Sequence, residues 1–290
     1  MSGVATHSAK ESASLRFLYG TPAGRAVLKI LTQPVFSVVG GAFLKMPLST
    51  ILIDSYIRKN GINMKRFARK RYRSFHDFFI RELKEKEFSE ECPAHLLLAP
   101  CDGKASAYTI SGENAFRIKN SVYTIGDLLE DEVLAKDFTG GTCVIFRLTP
   151  DDYHRYCYVD DGEILARKEI KGVLHTVRPI AHCHYPVFVR NSRVCTMMRT
   201  AHFGDVIQIE VGALMVGKIR NHKNSGSFSR GEEKGLFEFG GSTILLLFKE
   251  GAVQIKKDIL AATLRGEEHV LRVGEVIGEK AEGGLSSCGL

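Results

Sequence analysis

Phe237-Glu238-Phe239-Gly240-Gly241-Ser242-Thr243-Ile244-Leu245-Leu246-Leu247-Phe248 sets two apolar runs on either side of a Gly-Gly-Ser-Thr element. A short apolar run bounded by turn residues reads as a buried strand. The two glycines can take backbone angles that other residues avoid, including positive φ. They also leave the Gly241 carbonyl sterically open. The next side chain is a hydroxyl, which becomes a nucleophile once a base takes its proton. On its own the tetrapeptide reads most simply as a glycine turn leading into that strand. A strained Gly-Ser peptide facing its own serine admits a second reading, cleavage from within.

Outward from this element the strand pattern repeats. Thr142 to Leu148, Glu163 to Ile170, Val194 to Met198, Val206 to Val211, Ala213 to Ile219, Thr243 to Phe248 and Ala252 to Ile255 are short apolar runs broken by Gly, Asp and Asn. That density predicts an antiparallel β sandwich or barrel-like core. Asn221 to Gly235 is polar, carries Gly226, Gly231 and Gly235, and predicts a mobile loop. Before about Leu83 the chain reads as helical. Ser74-Phe75-His76-Asp77 is a variant capping box, with Ser74 as N-cap, and Phe75, Phe78 and Phe79 share one face. Lys84 to Glu91 is a charged connector. The expected architecture is α+β: a helical, membrane-proximal region over 1–90 and a β-rich catalytic core over 91–290.

Lys plus Arg exceeds Asp plus Glu by 40 to 33, a formal charge of +7. That mild balance suits an anionic partner such as a phospholipid surface, and by itself it is no argument for nucleic acid. Ala26 to Leu44 is the most apolar early segment, but Lys29, Gln33, Pro34 and Gly40-Gly41 make it a poor membrane span. With Arg16, Arg25, Lys29 and Lys45 around it, it suits a membrane surface. The basic run Lys65 to Arg73 reads either as a solvated face or as a contact for lipid headgroups. The polar opening, Met1 to Leu15, is unlike a signal peptide. Seven scattered cysteines without a Cys-x-x-Cys pair argue against a disulfide framework and for a reducing, cytoplasmic compartment. His182-Cys183-His184, read as a strand, would split its ligands between two faces, so a structural role is expected and no metal site.

Three polar elements far apart in sequence carry candidate chemistry. In Ala99-Pro100-Cys101-Asp102-Gly103-Lys104, the proline and glycine can hold Asp102 in one orientation. In Thr149-Pro150-Asp151-Asp152-Tyr153-His154-Arg155, a histidine after a proline turn is placed for proton transfer. Ser242 is the third. A carboxylate, an imidazole and a hydroxyl are the parts of an activated-serine triad.

These motifs, in this order, resemble those of the phosphatidylserine decarboxylase family. Phe75 to Leu83 is similar to its aromatic helix, Phe-x-x-Phe-Phe-x-Arg-x-Leu. Ala99 to Lys104 resembles its Pro-x-Asp-Gly-Lys segment, and Pro150 to Arg155 its Asp-Tyr-His-Arg motif. Phe188 to Val194 resembles its Phe-x-Arg-Asn-x-Arg-Val run, and Gly240 to Thr243 its Gly-Gly-Ser-Thr cleavage motif. The resemblance implies a precursor that cuts itself between Gly241 and Ser242 into a large and a small chain. It implies a pyruvoyl group derived from Ser242, with no metal or diffusible cofactor. Asp102 and His154 would activate Ser242. The substrate would be phosphatidylserine, taken from a membrane surface to which the protein binds peripherally; a homodimer is compatible with it. Many members carry a second histidine three residues after the first, where this chain has Cys157; His175 is the nearest downstream substitute. Two other readings stay open: a pyruvoyl-dependent decarboxylase of another amine, and a serine hydrolase using uncut Ser242. The hydrolase reading lacks the Gly-x-Ser-x-Gly elbow, because position 244 is Ile.

Overall fold

The structure is a computed structural model that describes residues 13–32, 34–68, 70–85, 87–88, 92–118, 121–213, 218–238 and 242–281. Its centre is an antiparallel sheet of eight strands: β1 (Gly103–Thr109), β2 (Thr142–Leu148), β3 (Gly162–Ile170), β4 (Arg193–Thr200), β5 (Gly204–Gly212), β6 (Gly226–Phe228), β7 (Ser242–Phe248) and β8 (His269–Leu271). Their spatial order is β6-β3-β4-β5-β7-β2-β1-β8. The sheet is open. No pairing joins β6 to β8 among the described residues, so the core is not a closed barrel.

The apolar run of the opening sequence lies at the middle of this sheet. β7 pairs with β5 on one side and β2 on the other, and all seven of its residues are buried. A strand covered on both faces needs apolar residues at every position rather than at alternate ones. Ile244 to Phe248 supplies them. Burying each such side chain contributes about 1.5–3 kcal/mol relative to leaving it in water.

A smaller antiparallel sheet, ordered Lys218–Asn221, Glu233–Glu238 and Arg155–Cys157, packs over this face. One contact joining the two sheets is an ion pair. Lys234 Nζ lies 2.8 Å from Glu210 on β5 and 3.0 Å from Thr196 Oγ1 on β4, with both charged side chains enclosed. A register shift between Glu233 and Gly235 falls at Lys234, and such a bulge re-aims a side chain. Asn221 to Gly235 is therefore not one loop. It carries β6, which pairs with β3, and the start of the Glu233–Glu238 strand. Its apolar content is too thin to show periodicity, because it docks through Phe228 and Lys234 rather than through a hydrophobic stripe.

The N-terminal part is helical, as expected. Pro22–Leu31 and Pro34–Lys45 are separate helices, and no described helix is long and apolar enough to cross a membrane. Leu28 and Leu44 are buried in two different apolar clusters. Among the described residues, the exposed apolar side chains near them in sequence include Val27, Ile30, Phe43, Met46, Leu48 and Ile51. The Ser74 hydroxyl caps helix Phe75–Phe79 by accepting from the Asp77 N–H at 3.1 Å. The Asp77 carboxylate reaches back to the Arg73 N–H rather than to that of Ser74. Pro179–His182 is a short helix, not a strand. His182 is nonetheless structural, with its ring 2.6 Å from the Tyr123 hydroxyl. Six cysteines are free thiols, and Cys288 lies outside the described residues.

Candidate active site

Asp102 sits at the turn into β1. Gly103, the next residue, has φ +150°, and a Cβ there would stand 2.9 Å from the Arg147 carbonyl oxygen. Only glycine lets the chain pass so close to β2 with that backbone angle, and this fixes where the Asp102 side chain leaves the backbone. The carboxylate is 3% exposed. It accepts from both terminal nitrogens of Arg66, from the Tyr153 N–H at 3.1 Å and from the Val273 N–H at 3.0 Å. Its immediate charged partner is thus an arginine, and it reaches His154 through the backbone of the neighbouring residue.

The loop from Thr149 to His154 continues from β2 and is held from several sides. Arg81 Nη2 donates to the carbonyls of Asp151 and Asp152, each at 3.0 Å, while its guanidinium lies 4.3 Å from the Phe67 ring centre. The Asp152 carboxylate accepts from the Thr149 hydroxyl at 2.8 Å. Burial, and then the nearby carboxylates Asp151 and Asp102, push its pKa up from 3.8 to about 6 against the hydrogen bonds from Thr149. His154 is enclosed, with its ring centre 4.1 Å from that of Phe79. Its Nδ1 stands 3.0 Å from the Asp152 carbonyl oxygen. A carbonyl oxygen only accepts, so Nδ1 carries the hydrogen and Nε2 holds the basic lone pair of the neutral ring. The His154 carbonyl accepts from the Phe237 N–H at 2.9 Å, which ties this loop to the strand leading into the cleavage segment.

Ser242 opens β7, opposite Gly212 on β5 and Leu148 on β2. Leu148 is the last residue of β2, so the loop bearing His154 starts directly across from Ser242. The serine is fully buried, and its hydroxyl has no hydrogen-bond partner among the described residues. Burying a hydroxyl without a partner costs about 1–3 kcal/mol. Gly240 and Gly241, the other half of the expected cleavage motif, lie outside the described residues.

Cys157 and His175 are placed differently. The Cys157 N–H donates to the Pro100 carbonyl at 2.9 Å, so this residue stitches the His154 segment to the Asp102 segment. His175 stacks on Tyr185 at 4.6 Å, and burial followed by the charge of Arg190 lowers its pKa to about 4. Its backbone is tied to buried Asn191, which also donates to the Gly212 carbonyl at 2.7 Å, opposite Ser242. The Phe188 to Val194 motif thus braces the strand beside Ser242. Arg66, Arg81 and the Lys234–Glu210 pair escape a reading of sequence alone. Each lies in a charged or already assigned stretch, and only the fold shows that its charge points inward.

The chain is similar to known proteins along most of its length. The family model described as phosphatidylserine decarboxylase matches residues 75–279. A protein from Clostridium acetobutylicum named phosphatidylserine decarboxylase proenzyme 2 is 46% identical over 272 residues, covering 93% of this chain and 92% of that protein. Phosphatidylserine decarboxylase proenzymes from Ruminiclostridium cellulolyticum and Clostridium perfringens are 39% and 34% identical over 91% and 94% of this chain, and 90% and 96% of their own lengths. Motif order, the buried serine at the head of the central strand and likeness along nearly the whole length converge: the chain belongs to the phosphatidylserine decarboxylase family.

Proposed function

We propose that this chain is a phosphatidylserine decarboxylase precursor that cuts itself before Ser242 and carries a pyruvoyl group made from that serine. The observation that carries the reading is the Ser242 hydroxyl: buried, without a hydrogen-bond partner among the described residues, and directly after two glycines. A hydrolase working on outside substrates needs an accessible nucleophile, so this burial favours attack on the chain's own backbone. The names of the relatives favour phosphatidylserine over another amine.

The residues divide the work as follows. His154 Nε2 takes the Ser242 hydroxyl proton. The oxygen attacks the Gly241 carbonyl carbon, the Gly241–Ser242 peptide bond breaks, and the Ser242 nitrogen takes up a proton as the amide becomes an ester. A base then removes the Ser242 α-proton and the Gly241 carboxylate leaves. The dehydroalanine tautomerises, and water replaces its nitrogen, releasing ammonia and leaving a ketone. Asp102 holds the Tyr153 backbone, and with it His154, in place. The surroundings fit the product, because a small ketone at position 242 replaces a hydroxyl that already lacks a partner. The pyruvoyl carbonyl supplies the electron-withdrawing group through which an amine-bearing substrate loses CO2. Denaturing mass analysis tests the reading. Two chains divided before residue 242 are expected, the smaller with a blocked amino end; active protein consisting of one intact chain would overturn it.

Residues 1–90 serve as the membrane-proximal part and 91–290 as the catalytic core. The lipid-facing surface is formed by Phe43, Met46, Leu48 and Ile51, all exposed, rather than by the whole of Ala26 to Leu44. Lys45, within this patch, pairs with Glu238 at 2.9 Å, next to the cleavage segment. A membrane touching the patch would therefore lie beside the site that must receive the headgroup. Leu48→Asp combined with Ile51→Asp should weaken sedimentation with phosphatidylserine-containing vesicles at least about tenfold, since each side chain contributes about 1.5 kcal/mol or more on burial. Turnover of a short-chain, water-soluble phosphatidylserine should persist. Unchanged vesicle binding would remove this surface from the account.

A further inference from the structure

Arg66 belongs to the helical region by sequence, yet its side chain ends inside the catalytic core. Both terminal nitrogens donate to the two oxygens of Asp102, and Nε and Nη2 donate to the two oxygens of Glu87. The guanidinium is thus forked on two sides, a geometry that a lysine ammonium cannot reproduce. Burial alone would lower the Arg66 pKa, but Asp102 and Glu87 more than offset this and hold it above its ordinary value. Asp102 passes the constraint on. Its remaining bonds are to the N–H groups of Tyr153, which precedes His154, and of Val273.

We propose that Arg66 is a positioning residue for self-cleavage: by clamping the Asp102 carboxylate it fixes the Tyr153 backbone and so the place of His154 beside the Ser242 segment. This rests on the reading of Asp102, His154 and Ser242 as the processing residues. An exposed ion pair would carry little weight. Here the carboxylate is enclosed, and removing its contacting cation leaves a buried charge beside Asp152, the Tyr153 phenol and the Cys101 thiol, with Arg81 also nearby.

The test follows cleavage of freshly translated full-length precursor by gel and mass analysis across pH 5 to 9. Four variants are compared with the wild type: Arg66→Ala, Arg66→Lys, Glu87→Gln and Asp102→Asn. Arg66→Ala should cleave about 30-fold more slowly, the rate equivalent of losing one charged hydrogen-bonded pair at about 2 kcal/mol. The acid limb of its pH–rate profile should move to higher pH, because the buried acidic cluster around Asp152 has then lost a neighbouring cation. Arg66→Lys should fall between it and the wild type, and Glu87→Gln should lose less than Arg66→Ala. Millimolar guanidinium, but not equal sodium chloride, should speed cleavage of Arg66→Ala and leave Asp102→Asn unchanged. A merely structural role would produce neither the shifted limb nor the rescue. If Arg66→Ala fails to fold, Arg66→Lys decides by its rate and pH limb. Blocked Asp102→Asn with Arg66→Ala and Arg66→Lys cleaving at the wild-type rate and pH profile would overturn this inference alone. Normal cleavage of Asp102→Asn would overturn the underlying reading of the site.

Discussion

Replacing Ser242 by alanine should leave a single uncut chain and abolish CO2 release from phosphatidylserine. Alanine has no oxygen to attack Gly241, so no ester forms and the ketone is never made. Because the ketone is the electron acceptor, no other side chain substitutes for it, and turnover falls to the uncatalysed level, a loss of at least about 10⁶-fold. The fold should survive. The wild-type hydroxyl is buried without a partner among the described residues, at a cost of about 1–3 kcal/mol, and alanine removes that cost while keeping the strand. The thermal midpoint of Ser242→Ala should therefore equal or exceed that of unprocessed wild-type precursor. Lost activity with a retained or raised midpoint separates missing chemistry from misfolding. Two chains, or measurable turnover, in this variant would end the pyruvoyl assignment.

How legible each feature is in the amino-acid sequence tracks its physical origin. β7 is legible because burial on both faces forces a continuous apolar run, and β2 follows the same rule; β4 and β5 show only shorter apolar runs, broken by Thr196, Gln208 and Glu210. The Ser74 cap is legible because capping is local, needing residues only three apart. β1 does not announce itself as a strand. Its Gly-Lys-Ala-Ser-Ala-Tyr-Thr sequence has small residues where the sheet packs tightly and no long apolar run. The motif segments lie far apart in sequence, and the fold brings them together: Pro100 to Cys157 by a backbone bond, Asp102 to Tyr153, and His154 to Phe237. Which partner each charge chooses is not written locally. Arg66 stands in a basic run that suggests solvent or lipid, yet it turns to Asp102. Lys234 stands among Arg230, Glu232 and Glu233, yet a bulge turns it to Glu210. Such pairings depend on chain segments about 24 to 36 residues apart, and no local pattern encodes them.

His154→Ala should slow self-cleavage by about 10²- to 10⁴-fold, the usual contribution of a positioned general base. The geometry specifies how. The Asp152 carbonyl, 3.0 Å from Nδ1, fixes the tautomer that leaves Nε2 basic, and the Phe79 ring at 4.1 Å limits rotation of the imidazole. Alanine vacates an enclosed space of imidazole shape. Imidazole added to the uncut variant should therefore restore part of the cleavage rate, more as pH rises and the neutral form predominates. His154→Gln keeps a hydrogen-bonding side chain but offers no base, and it should remain as slow as His154→Ala without being rescued. If both variants cleave at the wild-type rate but cannot release CO2, proton transfer by His154 belongs to the second reaction only. If both cleave and turn over normally, the base lies elsewhere, and Cys157, stitched to Pro100 beside the same carboxylate, becomes the next residue to replace.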